Sequence, residues 1–198
     1  MILNFNKADQ PATEKWELIN NSDGIATYVR WVKVNNELSV RERKAEFIIQ
    51  SEIHEIVQAI TQPEFVKLWM NNVTENKILK RVNENEFYTY TLFDLPWPFS
   101  NRDLISCYSI RYNNTSKTVD IVIESKENMY KTKEGITRIE KYKAKWFIKQ
   151  SGKKAQIEFR AITYTKPEMP RYIQDPVMQK TFHQNLLNLK NFLETIKK

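Results

Sequence analysis

The 198-residue chain has a single cysteine, Cys107, and only two histidines, His54 and His183. One cysteine excludes an internal disulfide, and so few thiolates and imidazoles argue against a metal centre built from them. The sequence pattern offers no acid–base partner beside Cys107 or His183, and both are interpreted as structural or surface residues. We therefore predict neither a metal nor a cofactor, and any catalysis would depend on carboxylates, lysines or tyrosines.

Glycine and long apolar runs are scarce as well. The chain has three glycines, and no stretch approaches the roughly 20 apolar residues of a transmembrane helix. These absences exclude a fibrous repeat, a low-complexity chain and a membrane-spanning helix. The N-terminus lacks the basic start and apolar run of a signal peptide, so we expect a cytoplasmic location. Apolar residues make up 41% of the chain, which is enough for one domain over residues 1–198.

The positive charge is concentrated in one segment. The chain has 31 basic and 24 acidic residues, a net charge of +7, and residues 126–154 hold ten basic against three acidic residues, a difference of +7. Two interpretations remain open: transient docking on an anionic membrane surface, at about 1 kcal/mol per basic residue, or a solvated strand face where lysine protects a sheet edge. No nucleic-acid recognition motif accompanies the charge, and nucleic acid is not a predicted partner.

Apolar and polar residues alternate over much of the chain, which predicts β-strands. Several strands have one apolar and one charged face, as in an antiparallel sheet covered on one side only. The predicted strands are 25–32, 38–49, 75–82, 86–93, 102–112, 118–124, 137–150 and 154–165. Short helices are predicted at 13–21, 51–62 and 64–70.

The last segment has the pattern of a long amphipathic helix. Asp175 followed by Pro176 is typical of an N-cap and first turn, and apolar residues then recur every three or four positions over about six turns. The predicted stripe consists of Met178, Phe182, Leu186, Leu189, Leu193 and Ile196. Strands closed by one long terminal helix predict an α+β fold of the helix-grip type.

One run of residues connects this pattern to a known family. Residues 95–103 read Leu-Pro-Trp-Pro-Phe-Ser-Asn-Arg-Asp, and they lie between an Asp23-Gly24 turn and a lysine-flanked strand around Trp146. In these features and in their order the chain resembles the START (steroidogenic acute regulatory protein-related lipid transfer) domains over nearly its whole length. The resemblance implies a curved antiparallel sheet wrapped around the C-terminal helix, with an internal hydrophobic cavity that holds one lipid or sterol.

The resemblance also implies loops that gate this tunnel, at 94–101 and around residues 168–170. The predicted gating residues are Leu95, Pro96, Trp97, Pro98, Phe99 and Met169. Aromatic rings between prolines have little conformational entropy to lose, which suits a lid that touches a membrane. A packed loop with its rings in the core is the alternative.

The predicted ligand-binding residues combine aromatic and apolar side chains with a few polar anchors, as in many small-molecule sites. They are Trp69, Tyr88, Tyr90, Arg102, Asp103, Tyr108, Trp146, Phe159, Met178, Phe182 and Leu186. For Arg102 and Asp103, a structural ion pair that holds the loop to its strand is the alternative to a head-group contact. For the aromatic residues, the alternative is ordinary core packing.

These expectations favour a non-enzymatic protein that binds, and is a candidate to transfer, a lipid or lipid-like molecule. One departure from the family matters: residues 87–93 contain no carboxylate and Tyr108 stands where some sterol-binding members have an arginine, so sterol specificity is not predicted. The alternative is a helix-grip enzyme of the cyclase, aromatase or hydrolase type, since fold does not determine function. Its candidate proton-transfer groups are Asp103 and the cavity tyrosines.

Overall fold

The structure, a computed structural model, describes residues 14–95, 99–127, 129–165, 167 and 169–196. These residues form a large antiparallel sheet and three helices, in the order β1–β3, α1, α2, β4–β10, α3. The strands are β1 Glu17–Ser22, β2 Ile25–Lys33, β3 Ser39–Ile49, β4 Val73–Asn83, β5 Glu86–Phe93, β6 Arg102–Asn113, β7 Thr118–Ser125, β8 Thr137–Arg138, β9 Tyr142–Ser151 and β10 Lys154–Thr163. The helices are α1 Ile53–Thr61, α2 Pro63–Trp69 and α3 Arg171–Thr195.

The strands are arranged β1-β2-β3-β10-β9-β7-β6-β5-β4, with every neighbouring pair antiparallel. β8 lies outside this path and pairs in parallel with the start of β6. Helices α1 and α2 connect β3 to β4 at the far edge of the sheet. The predicted α+β architecture, a strand meander closed by a long C-terminal helix, is confirmed.

The core lies between one face of the sheet and the three helices. We call this face of the sheet the inner face. It carries Ile157 of β10, Trp146 of β9 and Tyr108 of β6, and these residues form one buried cluster with side chains of the helices. Leu186 and Leu189 of α3 are 1% and 0% exposed within that cluster. Among the described residues, no helix is both long enough and apolar enough to span a bilayer.

Three predictions about the elements were wrong. The helix predicted at 13–21 is strand β1, because its backbone pairs with β2 and its apolar residue Ile19 is 41% exposed, so no helical stripe is buried. The strand predicted at 137–150 is divided into β8 and β9, and Lys141 between them has a φ of 53°, a left-handed conformation that a strand does not accommodate.

The third correction concerns the start of the terminal helix. It begins at Arg171, so Pro176 lies inside the helix rather than in its first turn. Proline has no N–H, and the carbonyl of Tyr172 therefore lacks its usual helical donor. Tyr172 is 79% exposed, so water can satisfy that carbonyl and the helix continues through the proline.

Both faces of the sheet are covered along β6, contrary to the expectation of a one-sided sheet. Every residue of β6 from Asp103 to Tyr108 is buried, whereas β9 alternates between buried and exposed or half-buried residues. The second cover comes from the β7–β9 connection, whose Tyr130 ring lies 5.0 Å from the ring of Tyr90. We call this second side of the sheet the outer face.

Candidate functional site

The predicted ligand-binding residues divide between the two faces of the sheet. Tyr108 pairs with Phe87, and the two rings stack 5.0 Å apart on the inner face. Successive strand residues point to opposite faces, so Asp103, Tyr88 and Tyr90 lie on the outer face. The structure therefore does not bring these three residues together with the inner-face aromatics.

A chain of four aromatic rings connects the inner face to two helices. The Trp69 ring of α2 meets Trp146 edge-on at 6.4 Å, and Trp146 stacks on Phe159 at 3.9 Å. Phe159 in turn stacks on Phe182 of α3 at 5.5 Å. Trp69 also donates a 2.8 Å hydrogen bond from its indole N–H to the carbonyl of Ala59. Four predicted site residues thus form one continuous cluster.

The C-terminal half of α3 is held tightly against this cluster. Asn188 donates hydrogen bonds to the carbonyl of Trp69 and to the side chain of Asn71, and Asn185 accepts one from the backbone N–H of Asn71. Leu186, another predicted site residue, is 1% exposed in the same half. These asparagines were not among the predicted site residues, because their partners are more than one hundred residues away in the sequence.

The N-terminal half of α3 is packed more loosely. Met178, predicted to bind ligand, is 42% exposed, and Val177 beside it is 40% exposed. Phe182 is only half-buried although its ring stacks on the inner face. Within α3 the predicted stripe is therefore buried in the second half and accessible in the first. Ile196, its last predicted member, lies just past the end of the helix and is 48% exposed.

The inner face beneath this looser half is also less completely covered. Phe159, Ala161 and Tyr142 are half-buried, whereas Ile157 and Ile148, on the same face, are 3% and 0% exposed. Even so, burial raises the pKa of the Tyr142 phenol and raises that of Tyr108 to about 12. Sequence reasoning missed Tyr142 and Ala161, although alternation with Trp146 and Phe159 places them on the same face.

Hydroxyl and amide groups accompany the apolar residues on the β4–β6 part of the inner face. Thr89 and Ser106 share a 3.0 Å hydrogen bond, and Asn76 donates one of 3.2 Å to Thr91. Arg102 lies on this face by strand alternation and is half-buried. These groups give this part of the face a polar character.

Asp103 has a different environment on the outer face. Its carboxylate is completely buried and accepts two hydrogen bonds from Arg138, of 2.5 and 2.9 Å. Arg138 also donates to the carbonyl of Tyr130, and the hydrogen bond with Asp103 raises the pKa of its guanidinium. This ion pair holds the β7–β9 connection against β6. Asp103 therefore forms a structural ion pair, the alternative to a head-group contact, but its partner is Arg138 rather than Arg102.

The predicted gating segments are described in part. Leu95 and Phe99 are half-buried, and the side chain of Asn101 accepts a hydrogen bond from the backbone N–H of Leu95. Met169 is half-buried directly before α3. Pro96, Trp97 and Pro98 lie outside the described residues.

The lysine-rich strand β9 carries compensating partners. Lys143 lies 3.3 Å from Glu124 and Lys145 lies 2.5 Å from Asp120, both on β7. Both lysine side chains are 52% exposed, which favours the solvated-face interpretation for this part of the basic segment.

Two cavities open at the surface. One, of about 420 Å³, is lined by residues of the β7–β9 connection, including Tyr130 and Arg138. The other, of about 560 Å³, lies between the β2–β3 hairpin and the start of α3 and includes Trp31 and Arg171.

Comparison with known proteins supplies further evidence. The chain matches no protein-family model. An uncharacterized protein of Pseudomonas aeruginosa is 24% identical over 155 residues, which are 75% of this chain and 71% of that protein.

Solved structures are similar over almost the whole chain. A STAR-related lipid transfer protein fragment from Xanthomonas axonopodis has a TM-score of 0.81 and 21% identity, covering 91% of this chain and 99% of the fragment. Human StAR-related lipid transfer protein 5 has a TM-score of 0.78 and 14% identity, covering 92% of this chain and 88% of its own. Human STARD10 has a TM-score of 0.74 and 18% identity, covering 90% of this chain and 72% of its own.

Proposed function

We propose that this chain, which has a START-like fold, binds a hydrophobic small molecule, a lipid or lipid-like compound. The ligand would lie between the inner face of the sheet and the N-terminal half of α3. Trp146, Phe159 and Phe182 would line the inner end of this space, with Tyr108 and Tyr142 supplying phenol groups at its side.

The observation that carries this proposal is the contrast along the inner face. Ile148, Ile157 and Leu186 are fully packed, whereas Phe159, Ala161 and Phe182 keep accessible surface. Tyr142 combines partial accessibility with a pKa raised by burial. This combination is expected where side chains border a space shielded from bulk water, since desolvation disfavours the charged phenolate.

Transfer is the second part of the proposal. Burial of an apolar ligand contributes about 25 cal/mol per Å² of surface removed from water. A protein that buries about as much of the lipid's apolar surface as the bilayer does can exchange the lipid with the bilayer. Leu95, Phe99 and Met169 belong to the segments that would open for the exchange. The exposed side chains of Met178 and Val177 on α3 would become covered when a ligand is bound.

A non-enzymatic role agrees with the groups on the inner face. Burial makes the phenols of Tyr108 and Tyr142 harder to deprotonate, so they are poor general bases near neutral pH. Asp103, the remaining candidate, is paired with Arg138 on the outer face.

A space-filling substitution tests the proposal. Ala161→Trp would place an indole in the proposed ligand space, and Gln156→Trp on the exposed outer face of the same strand is the matched control. We expect Ala161→Trp to abolish uptake of fluorescent fatty acids and phospholipids while its melting temperature stays close to that of the control. Native mass spectrometry of the purified wild-type protein should show a bound lipid that this variant lacks.

The opposite result is equally informative. A well-packed core resists added volume, and overpacking typically costs about 1–3 kcal/mol. A strong loss of stability in Ala161→Trp, with no lipid bound to the wild type by either method, would contradict the proposal.

A further inference from the structure

Two arginines lie on the inner face of β3 beneath the N-terminal half of α3. Ala45 of β3 points to the inner face, and Arg43 and Arg41 lie two and four residues before it, so by strand alternation they point to the same face. Both face Asp175 of α3, at 3.4 Å from Arg41 and 3.9 Å from Arg43. Arg171, at the start of α3, adds a third guanidinium and donates a 2.6 Å hydrogen bond to the carbonyl of Ser39.

Asp175 does not satisfy this group of cations. Charge-assisted hydrogen bonds between guanidinium and carboxylate are normally about 2.7–2.9 Å long, and both distances to Asp175 exceed that range. Within the described residues, the Nε atoms of Arg41 and Arg43 are buried and have no hydrogen-bond partner. Arg41 and Arg43 thus share one carboxylate, Arg171 adds a third positive charge close to Arg43, and two buried donors remain free.

Such an arrangement is costly without a further anion. Buried donors that lack a partner destabilise a protein by about 1–3 kcal/mol each, more when the group is charged. Burial accordingly lowers the pKa of the Arg43 guanidinium, and Arg41 and Arg171 add to this effect while Asp175 opposes it. A bound anion would satisfy the free donors and balance the excess charge.

The cluster adjoins an opening to solvent. The Trp31 ring contacts the guanidinium groups of Arg41 and Arg171, at 4.8 and 4.7 Å. Trp31 and Arg171 also line the surface cavity of about 560 Å³ between the β2–β3 hairpin and α3. The exposed carboxylate residue Glu37 lies at the same cavity, so an anion is expected on the arginine side of it.

We propose that Arg41, Arg43 and Arg171 form a binding site for the anionic headgroup of the lipid, a phosphate or carboxylate. This inference rests on the proposed function, and it specifies the ligand class: anionic rather than zwitterionic or neutral lipids. The acyl chains would extend from this end of the inner face toward Phe159 and Phe182. The guanidinium forks match the paired oxygens of phosphate and carboxylate. The excess positive charge of the cluster repels the choline ammonium that accompanies the phosphate of a zwitterionic lipid, so a headgroup with net negative charge is preferred.

Headgroup selectivity is the measurement that tests the site. Donor vesicles of phosphatidylcholine would carry either pyrene-labelled phosphatidylglycerol or pyrene-labelled phosphatidylcholine with the same acyl chains, and uptake by the full chain would be compared. The wild type should favour the labelled phosphatidylglycerol by about tenfold, as expected for hydrogen bonds to a charged group. Arg43→Gln and Arg41→Gln should each remove this preference without lowering uptake of the labelled phosphatidylcholine.

Two further variants separate the site from general charge and from a purely structural role. Arg30→Gln removes a cation from the outer face, where Arg30 pairs with Glu42 at 2.6 Å, and should leave the preference unchanged. Asp175→Asn removes the competing carboxylate and should increase the preference for phosphatidylglycerol. A merely structural ion pair predicts no such gain, and melting temperatures show whether each variant is folded.

Each remaining outcome decides against a particular claim. Equal uptake of both lipids by the wild type, or the same loss in Arg30→Gln as in Arg43→Gln, would overturn the headgroup site and leave the proposed function intact. Uptake of neither lipid would remove the proposed function and this inference with it. Inorganic phosphate that binds the protein without competing with labelled phosphatidylglycerol would assign the arginines to a free anion and overturn the headgroup assignment.

Discussion

The ion pair between Asp103 and Arg138 provides the sharpest test of which predicted residues are structural. Asp103 is 0% exposed and the Arg138 side chain 11% exposed. Asp103→Asn keeps the size of the side chain and removes its charge, which leaves Arg138 without its carboxylate. Breaking a buried pair in this way costs about 3–5 kcal/mol. Because Arg138 reaches the surface in part, we expect the lower end, about 3 kcal/mol.

Urea denaturation followed by tryptophan fluorescence measures this loss. The control is Glu124→Gln, which makes the same chemical change at a carboxylate that is 37% exposed and lies 3.3 Å from Lys143. Exposed pairs contribute about 0–1 kcal/mol, so the control should remain close to the wild type. A double-mutant cycle with Arg138→Met would isolate the interaction between the two side chains.

Lipid uptake by the same variant distinguishes the two interpretations of Asp103. At temperatures where Asp103→Asn is folded, uptake should match that of the wild type, because the carboxylate lies on the outer face. The reasoning would be refuted by a variant that is as stable as the wild type and has lost lipid uptake, since Asp103 would then act on the ligand rather than on the fold.

The remaining predictions concern the terminal helix and the buried phenol. Leu189→Ala, at a fully buried position, should lower the free energy of unfolding by about 2–5 kcal/mol. Met178→Ala, at a 42% exposed position, should change the free energy of unfolding by less than about 0.5 kcal/mol. Equal losses in urea denaturation would contradict the unequal packing of α3. Burial raises the pKa of Tyr108 to about 12, from about 10 in the unfolded chain. The neutral phenol therefore stabilises the folded protein fully below about pH 10. This contribution, about 3 kcal/mol, is lost as the pH rises through about 12. Tyr108→Phe should therefore show a smaller decline in unfolding free energy over this pH range in urea titrations, and an unchanged decline would exclude Tyr108 as a source.

Much of the fold could be predicted because the sheet obeys a local rule. β5 was predicted with its observed bounds, since alternation is regular and the Asn83–Asn85 turn precedes it. The same rule could have separated the site residues. Phe87 points to the inner face, and Tyr88 and Tyr90 are one and three residues further along the same strand. Because successive strand residues point to opposite faces, alternation alone indicated that these two tyrosines point to the outer face.

Other features depend on partners far along the chain. Residues 17–22 have no strong strand pattern, and they form β1 because β2 offers unpaired backbone groups beside them. The pairing of Asp175 with Arg41 and Arg43 joins segments more than one hundred residues apart. No local periodicity encodes such a contact, so these arginines were not among the predicted binding residues.

The sequence by itself determined the alternating strands, the apolar stripe of the last helix and the resemblance to START domains. Each of these depends on local residue spacing or on a short motif. Only the tertiary structure decided which part of that stripe is packed and which is accessible. The hydrogen bonds of Asn185 and Asn188 hold the second half of the helix against the core, where its leucines are buried. The first half is left above the inner face, next to three arginines and one carboxylate.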